Sequence, residues 1–321
     1  MVGLEAEFAS RFYAALHSLG RVHTVRSERI SLEKASRQVM ITHHAAASAH
    51  YFMAVSIISL VFAGPARAVQ LEKETLSAFN TYVSESEKQM PEELTPEQFL
   101  SAAASGPQAR AAANAKLANG EVLTRRVEPL IIKGKSLSCP GGIIHHWAGI
   151  VFIPGVSLAR TIAFLQDYDH ESRFYSPDVQ RSKLLKRDGD SFTVSLRLKR
   201  TKVLTVLLDA DFAVEYKFHD PTHATSRSRS LAIREVENAG TVNERDLPDG
   251  QGHGFLWRLN SYWRFQQADG GTYVQLEAIS LTRDIPPGLG WIVNPFVTTI
   301  PRDSLLFTLG RTRDALSKEW K

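Results

Sequence analysis

The sequence predicts an α+β domain in which an antiparallel sheet wraps around a long C-terminal helix. Three features indicate this: segments with strand periodicity from residue 143 onward, a hairpin turn at Asp269-Gly270-Gly271, and an amphipathic helix at the end of the chain. A sheet must bury its apolar face, and the terminal helix is the element available to cover it. We expect this domain over residues 139–321, preceded by a helical lead-in over 69–138.

The strands of the domain are predicted from their apolar periodicity. The first runs from Ile143 to Ile153 and is terminated by Pro154-Gly155, after which Ser157 is placed to cap a helix. Residues 203–218 alternate strictly between apolar and polar side chains, which is typical of a half-buried antiparallel strand. Further strands are predicted at 179–186, 192–199, 226–238, 255–266 and 272–282.

The last helix is predicted to begin at Pro301. Proline is favoured at the first helical position, and Asp303 places an acidic side chain in the first turn. Leu305, Leu309 and Leu316 then share one face. This apolar face is the surface expected to pack against the sheet.

The lead-in is predicted to be mainly helical. Residues 69–89 carry apolar side chains at helical spacing, and Thr95 and Pro96 are suited to cap and open a second helix. An alanine-rich connector at 101–118 and short strands near Val122 and Leu130 follow. The helices are suited to closing a cavity mouth, to packing on the outer face of the sheet, or to binding a partner.

Charge argues against a nucleic-acid partner. The whole chain has 38 Lys and Arg against 34 Asp and Glu, a formal net charge of +4. Residues 1–68 hold 7 of the basic and 4 of the acidic residues, which leaves 31 against 30 for the rest. Phosphate binding needs a strong local excess of basic side chains.

Several kinds of site lack their sequence signatures. Cys139 is the single cysteine, which excludes an intrachain disulfide and a thiolate zinc cluster. The nucleophile elbow of hydrolases, the P-loop and the dinucleotide-binding glycine pattern do not occur. No cofactor and no metal are expected.

An export signal is predicted before the lead-in. Tyr51 to Ala63 is a short apolar run followed by Gly64-Pro65 and a small-x-small triplet ending at Ala68. The run is shorter than the roughly 20 apolar residues that a membrane-spanning helix needs. We expect cleavage near Ala68 and a periplasmic or extracellular protein, with Met40 or Met53 as the hypothetical natural start.

From about residue 140 to 318 the sequence resembles the START-like superfamily, also called the polyketide cyclase/dehydrase and lipid-transport group. The likeness lies in HHWAGIVFIPGVSLARTIAFLQDY (145–168), in the hairpin segment 254–286, and in the tail 290–316. It looks closest to exported bacterial members of unassigned function. The resemblance implies a helix-grip fold around a cavity for an apolar or amphipathic ligand, but it does not fix an activity.

The segment 255–265 supplies candidate ligand contacts. Alternation predicts that the aromatic and leucine side chains face one way, as a cavity wall or as ordinary core, and that the polar side chains face the other way. Glu277 across the hairpin is expected to pair with Arg264 or Arg258, either as a solvated pair or as a sequestered anchor for a ligand head group. The predicted ligand-binding residues are Trp257, Asn260, Tyr262, Trp263, Arg264, Glu277 and His146.

His145 and His146 are adjacent on a strand and must point to opposite faces, so at most one imidazole enters a single site. Asp209 and Asp211, two apart on a polar face, are expected to serve solubility. Arg227, Arg229 and Arg234, beside Glu235 and Glu237, are expected to form a solvated strand.

Two functional hypotheses follow. The first is an exported binding or carrier protein for a lipid-like or other hydrophobic small molecule, for which transient membrane contact is allowed and no protein partner is assigned. The alternative is a cyclase/dehydrase-type enzyme in which Tyr262, Glu277 or His146 supplies acid/base catalysis in the same cavity. A third interpretation is an interaction module with a solid core.

Overall fold

The structure is a computed structural model that describes residues 69–91, 96–103, 106–132, 135–201, 205–285 and 290–317. The predicted export signal, its cleavage position and the predicted cap Thr95 lie outside these residues. All of these described residues belong to one compact unit. Among the helices of the described residues, none is long and apolar enough to cross a membrane.

The predicted α+β architecture is confirmed. The helices are α1 (Lys73–Gln89), α2 (Pro96–Ala103), α3 (Pro107–Ala118), α4 (Leu158–Leu165), α5 (Glu171–Phe174) and α6 (Gly290–Ser317), with a 3-10 turn at Tyr168–His170. The strands are β1 (Leu123–Arg126), β2 (Ile131–Ile132), β3 (Lys135–Ser136), β4 (Gly142–Pro154), β5 (Val179–Asp188), β6 (Ser191–Thr201), β7 (Thr205–Phe218), β8 (His223–Glu237), β9 (Arg245–Asp246), β10 (Arg258–Ala268) and β11 (Gly271–Arg283).

Antiparallel pairing joins nine of the described strands into one large sheet. Its order is β1-β4-β11-β10-β8-β7-β6-β5, with β9 paired to β8, while β2 and β3 form a separate pair. The predicted hairpin turn is present, since Ala268 pairs with Gly271 and the two residues between them have positive φ. Positive φ at both central positions is what a two-residue turn between twisted strands requires. The lead-in contributes to the sheet through β1.

Alternation along the strands sends side chains to two faces. On β7 the buried positions are Leu208, Ala210, Phe212, Val214 and Tyr216, as the strict alternation predicts. These residues belong to the main core, which also contains the buried apolar residues of α4 and α6. The predicted cap of α4 is present as well, because the Ser157 hydroxyl accepts a hydrogen bond from the Arg160 backbone N–H.

The terminal helix is longer than predicted. It begins at Gly290 instead of Pro301, so Pro301 lies inside it. A proline inside a helix removes one backbone hydrogen bond. For this reason the sequence pattern favoured Pro301 at the beginning of the helix. Leu305, Leu309 and Leu316 are buried in the main core as predicted.

Contact between α6 and the sheet is close at Gly149 of β4. A β-carbon at this position would lie 2.8 Å from Leu309 Cδ1 and 3.3 Å from the Leu123 carbonyl oxygen. Glycine therefore lets the helix approach the sheet at this point.

The lead-in helices pack on the outer face of the sheet, which is one of the three positions considered from sequence. Phe79, Tyr82 and Val83 of α1 form a buried cluster with Ile279 and Leu281 of β11. A second cluster joins α2 and α3 to the outer face through the buried residues Phe99, Leu117, Ala148, Ile150 and Phe152. The sheet is thus covered on both faces.

Candidate functional site

The centre of the concave face is built from small side chains. Register places Trp147, Ala278, Ser261 and Ser228 in one row across β4, β11, β10 and β8. All four are only half-buried, although they lie on the inner strands of the sheet. Three of these side chains, those of Ala278, Ser261 and Ser228, are short. The indole of Trp147 lies at one end of the row.

A second indole borders the same region. Trp263 lies one row away, between Leu276 of β11 and Ser226 of β8, and is half-buried. Its ring stacks on Phe265 with the two centroids 6.1 Å apart. Leu259, on the same face, is half-buried as well. Of the seven predicted ligand-binding residues, Trp263 is the one that the structure places on the concave face.

Polar groups in the main core gather near α5. The hydroxyls of Tyr168 and Tyr216 lie 3.2 Å apart, and the Tyr175 hydroxyl lies 2.8 Å from the Thr312 hydroxyl of α6. Glu171 is half-buried beside these tyrosines. Desolvation, and secondly the nearby charge of Asp167, raise the pKa of Glu171 to about 8. The concave side therefore carries a carboxyl group that binds its proton near neutral pH.

On the outer face a buried network joins four elements. His146 of β4 has its Nε2 2.7 Å from Glu277 Oε1 of β11 and its Nδ1 3.0 Å from the Tyr82 hydroxyl of α1. Arg264 of β10 donates from Nη1 to the second Glu277 oxygen at 3.0 Å and from Nε to the Pro91 carbonyl at 2.9 Å. Both Glu277 oxygens and both His146 nitrogens are thus engaged.

Glu277 is ionised in this setting. Desolvation by itself would raise its pKa, but the hydrogen bond and charge of His146 and the charge of Arg264 outweigh it and lower the pKa. The pairing of Glu277 with Arg264 is confirmed in its sequestered form, because the two side chains are 8% and 4% exposed. Arg258, the other predicted partner, forms its ion pair with Asp249.

Tyr262 and Asn260 of β10 also face outward. Tyr262 donates its hydroxyl to Glu87 of α1 at 2.7 Å, and Asn260 is buried beside it. Desolvation, and then the hydrogen bond to Glu87, raise the pKa of Tyr262. Glu87 in turn pairs with Arg227 and Arg229 of β8. These two arginines were expected on a solvated strand; their side chains are 37% and 50% exposed, and they also pair with α1.

Two predicted placements are wrong. Trp257 was expected to share a face with Trp263, but it precedes β10 and is buried in the cluster beneath α1. It lies outside the regular strand, so the two-residue alternation does not extend to it. The enzymatic hypothesis placed Tyr262, Glu277 and His146 in the cavity under the terminal helix, whereas they lie on the opposite face of the sheet. Their ligand-binding roles remain predictions.

His145 and His146 do point to opposite sides. His145 lies with Nε2 3.0 Å from the Thr282 hydroxyl, away from the outer network. Burial, and secondly the charge of Arg126, lower the pKa of His145 to about 4. Asp209 and Asp211, expected to serve solubility, pair with Arg197 and Arg234 respectively.

Strands β4 and β11 are neighbours, so the first and last long strands lie side by side, and α6 packs against both. Helices α4 and α5 stand between β4 and β5 in the chain, before the run of antiparallel strands. The fold is the antiparallel sheet around a C-terminal helix that the sequence predicted. It carries two additions from the lead-in: strand β1 at one edge and a helical layer on the outer face.

No protein-family model and no curated protein matches the chain. Among solved structures it is similar to a STAR-related lipid transfer protein from Xanthomonas axonopodis, with 17% identity and a TM-score of 0.39 over 60% of this chain and 98% of that one. It is similar to the Zhui aromatase/cyclase of a Streptomyces species, with 12% identity and a TM-score of 0.39 over 56% and 97%. A START superfamily protein from Mycobacterium smegmatis has 10% identity and a TM-score of 0.33 over 55% and 97%. The likeness concerns the fold alone.

Sequence reasoning missed the small residues on the concave face of the sheet. Ala278, Ser261 and Ser228 come from three strands, and only the register brings them into one row. Each strand did carry a signal for this row. A small residue occupies a position that the alternation assigns to the covered face of the sheet. Tyr82 and Glu87 were missed for a different reason: their partners are distant in sequence and belong to the outer face.

Proposed function

We propose that the protein binds a hydrophobic or amphipathic small molecule between the concave face of its sheet and helix α6. The supporting observation is a contrast between the two faces of the same inner strands. On the outer face the polar residues Glu277 and Arg264 are buried, whereas on the concave face Ala278 and Trp263 are half-buried. Apolar surface left uncovered beneath a helix is stabilised by an apolar ligand.

The chemistry of the concave face favours an amphipathic molecule. Trp147 and Trp263 offer flat apolar walls, and the serines of β8 and β10 offer hydroxyls that can donate or accept. Glu171 adds a group that can donate a hydrogen bond while it holds its proton. A largely apolar ligand with one or two oxygen acceptors satisfies all of these groups.

A matched pair of phenylalanine substitutions tests the site. Ala278→Phe fills the centre of the concave face, while Ala213→Phe places the same side chain at a half-buried position on the opposite face of β7. Titration with the neutral apolar dye N-phenyl-1-naphthylamine should show saturable binding to the wild type. We expect Ala278→Phe to weaken this binding by roughly tenfold or more and Ala213→Phe to leave it unchanged.

Thermal unfolding of both variants establishes that each is folded. Equal dye affinity for the wild type and a folded Ala278→Phe variant would overturn the proposal, as would dye uptake that never saturates. Native mass spectrometry of protein purified from its own host should show a co-purifying mass, and lipid extraction identifies its class.

Export to a periplasmic or extracellular location is part of the same proposal. It is supported by the apolar run 51–63 and the triplet that ends at Ala68. N-terminal sequencing of the protein from its own host should find a mature chain that starts after Ala68. An intact Met1 on a protein retained inside the cell contradicts export and leaves the binding proposal standing.

A further inference from the structure

A pocket lies on the outer face of the sheet, away from the proposed concave site. It has a volume of about 290 Å³ and opens between the end of α1, helix α2 and strand β1. The outer-face residues His146, Gln275 and Glu277 form its floor, and Phe99 and Arg125 contribute to its walls. Its polar floor and apolar wall distinguish this pocket from the concave face, which carries small and aromatic residues.

Among the described residues that line this pocket, the charge balance is positive. Glu277 lines it, but one carboxylate oxygen accepts from His146 and the other from Arg264. The negative charge of Glu277 is therefore matched by the guanidinium of Arg264, and Arg125 adds a further positive charge at the wall. The Nε of Arg125 is buried and has no hydrogen-bond partner within the described part of the chain.

An unpartnered buried guanidinium N–H destabilises the protein unless an acceptor reaches it. The side chain of Arg125 is held in place by its contact with Phe99, whose ring centroid lies 5.6 Å from the guanidinium carbon. Arginine presents a planar fork of donors that matches the two oxygens of a carboxylate. The donor is thus preformed for an anion.

The other walls of the pocket fit an apolar body of modest size. Phe99 is 3% exposed, and Met90, Val127 and Leu130 are half-buried around it. The Gln275 amide is buried at the floor of the pocket. It is available to a polar substituent of a ligand.

We infer that this outer pocket binds a small organic anion whose carboxylate pairs with Arg125 and whose apolar or aromatic body lies against Phe99. The site is independent of the proposed concave site, because the two lie on opposite faces of the sheet. Two molecules of different chemistry can therefore occupy the protein together.

Paired probes test the charge requirement. Benzoate and 1-naphthoate, each compared with its neutral primary amide, are titrated into the full chain by isothermal calorimetry at constant ionic strength. We expect at least one carboxylate to bind with a Kd below about 1 mM and its amide to bind at least roughly tenfold more weakly. Failure of both carboxylates to bind at millimolar concentration would overturn the inference.

Two arginine variants test the location. Arg125→Gln should weaken carboxylate binding by roughly tenfold or more, while Arg126→Gln removes the same charge from the adjacent exposed residue of β1 and should have little effect. Equal losses in the two variants would show a diffuse electrostatic effect and contradict the site. Arg125→Lys keeps the charge without the fork and should fall between wild type and Arg125→Gln.

A further comparison separates this inference from the proposed function. Ala278→Phe, which fills the concave face, should bind the carboxylate as the wild type does. Conversely, Arg125→Gln should bind N-phenyl-1-naphthylamine normally. Loss of carboxylate binding in a folded Ala278→Phe variant would place the anion in the concave site and overturn the outer pocket.

Discussion

The imidazole of His146 and the carboxylate of Glu277 are joined across neighbouring strands at 2.7 Å, with both side chains almost completely buried. The pair does not stand alone, since Tyr82 of α1 engages the other imidazole nitrogen and Arg264 of β10 engages the other carboxylate oxygen. A buried hydrogen-bond network of this kind stabilises and orients the elements that it joins. It fixes α1 to the outer face of the sheet.

Replacing Glu277 should be strongly destabilising. Glu277→Ala leaves the Arg264 guanidinium buried without its counter-charge, and removing one partner of a buried pair costs about 3–5 kcal/mol of unfolding free energy. Urea unfolding followed by circular dichroism measures this loss. Glu237→Ala is the control, because Glu237 pairs with Arg245 at an exposed position and such pairs contribute about 0–1 kcal/mol. Similar losses in both variants would mean that the buried network contributes little.

Acid should destabilise the protein through His145. Because the pKa of His145 is near 4 in the folded state and 6.5 ordinarily, the unfolded chain binds more protons between these values. The unfolding free energy therefore falls as the pH is lowered from 6.5 to about 4, by roughly 3 kcal/mol from this one group. In His145→Gln, which cannot titrate, the dependence of stability on pH in this range should be smaller. An unchanged slope would show that His145 is readily protonated in the folded protein.

Glu171 should produce the opposite dependence. Its pKa is raised from 4.5 to about 8, so the folded state holds the proton more tightly than the unfolded chain. The unfolding free energy then falls as the pH rises through this range. Glu171→Gln stays neutral in both states, and we expect it to be more stable than the wild type at pH 8 and similar to it near pH 4.5. Thermal unfolding at the two pH values makes the comparison, and a variant less stable than wild type at pH 8 would contradict it.

The sequence predicted the elements of the sheet well because their signals are local. Alternation over 203–218 identified the buried side of β7, and the Asp-Gly turn identified the hairpin of β10 and β11. The start of α6 was mispredicted because proline is a strong local signal for the beginning of a helix, whereas Pro301 lies inside α6.

The candidate sites were harder to predict than the fold. Alternation correctly separated Trp263 from Tyr262 and Arg264, but it could not say which face would carry the cavity. The choice between the two faces depended on where the lead-in helices pack. The sequence was compatible with three positions for these helices. Because α1 covers the outer face, the polar side chains of β10 on that face form a buried network. Trp263 then lies on the opposite, concave face.

The role of α1 as part of the domain can be tested at Phe79, which is 2% exposed in the cluster with Ile279 and Leu281. Phe79→Ala should cost about 3–5 kcal/mol of unfolding free energy, since it opens a cavity where α1 meets β11. Thr81→Ala, at an exposed position on the same helix, is the control and should change stability by no more than about 0.5 kcal/mol.

The number of unfolding transitions of Phe79→Ala shows whether α1 unfolds together with the sheet. If α1 and the sheet unfold as one unit, Phe79→Ala lowers the midpoint of a single transition, and amide hydrogen exchange in β10 and β11 accelerates with it. If α1 were a separable layer, the variant would release the helix in an early step while exchange in these strands stayed at the wild-type rate. We expect the single transition, because Tyr82, Glu87 and Phe79 all connect α1 to the inner strands of the sheet.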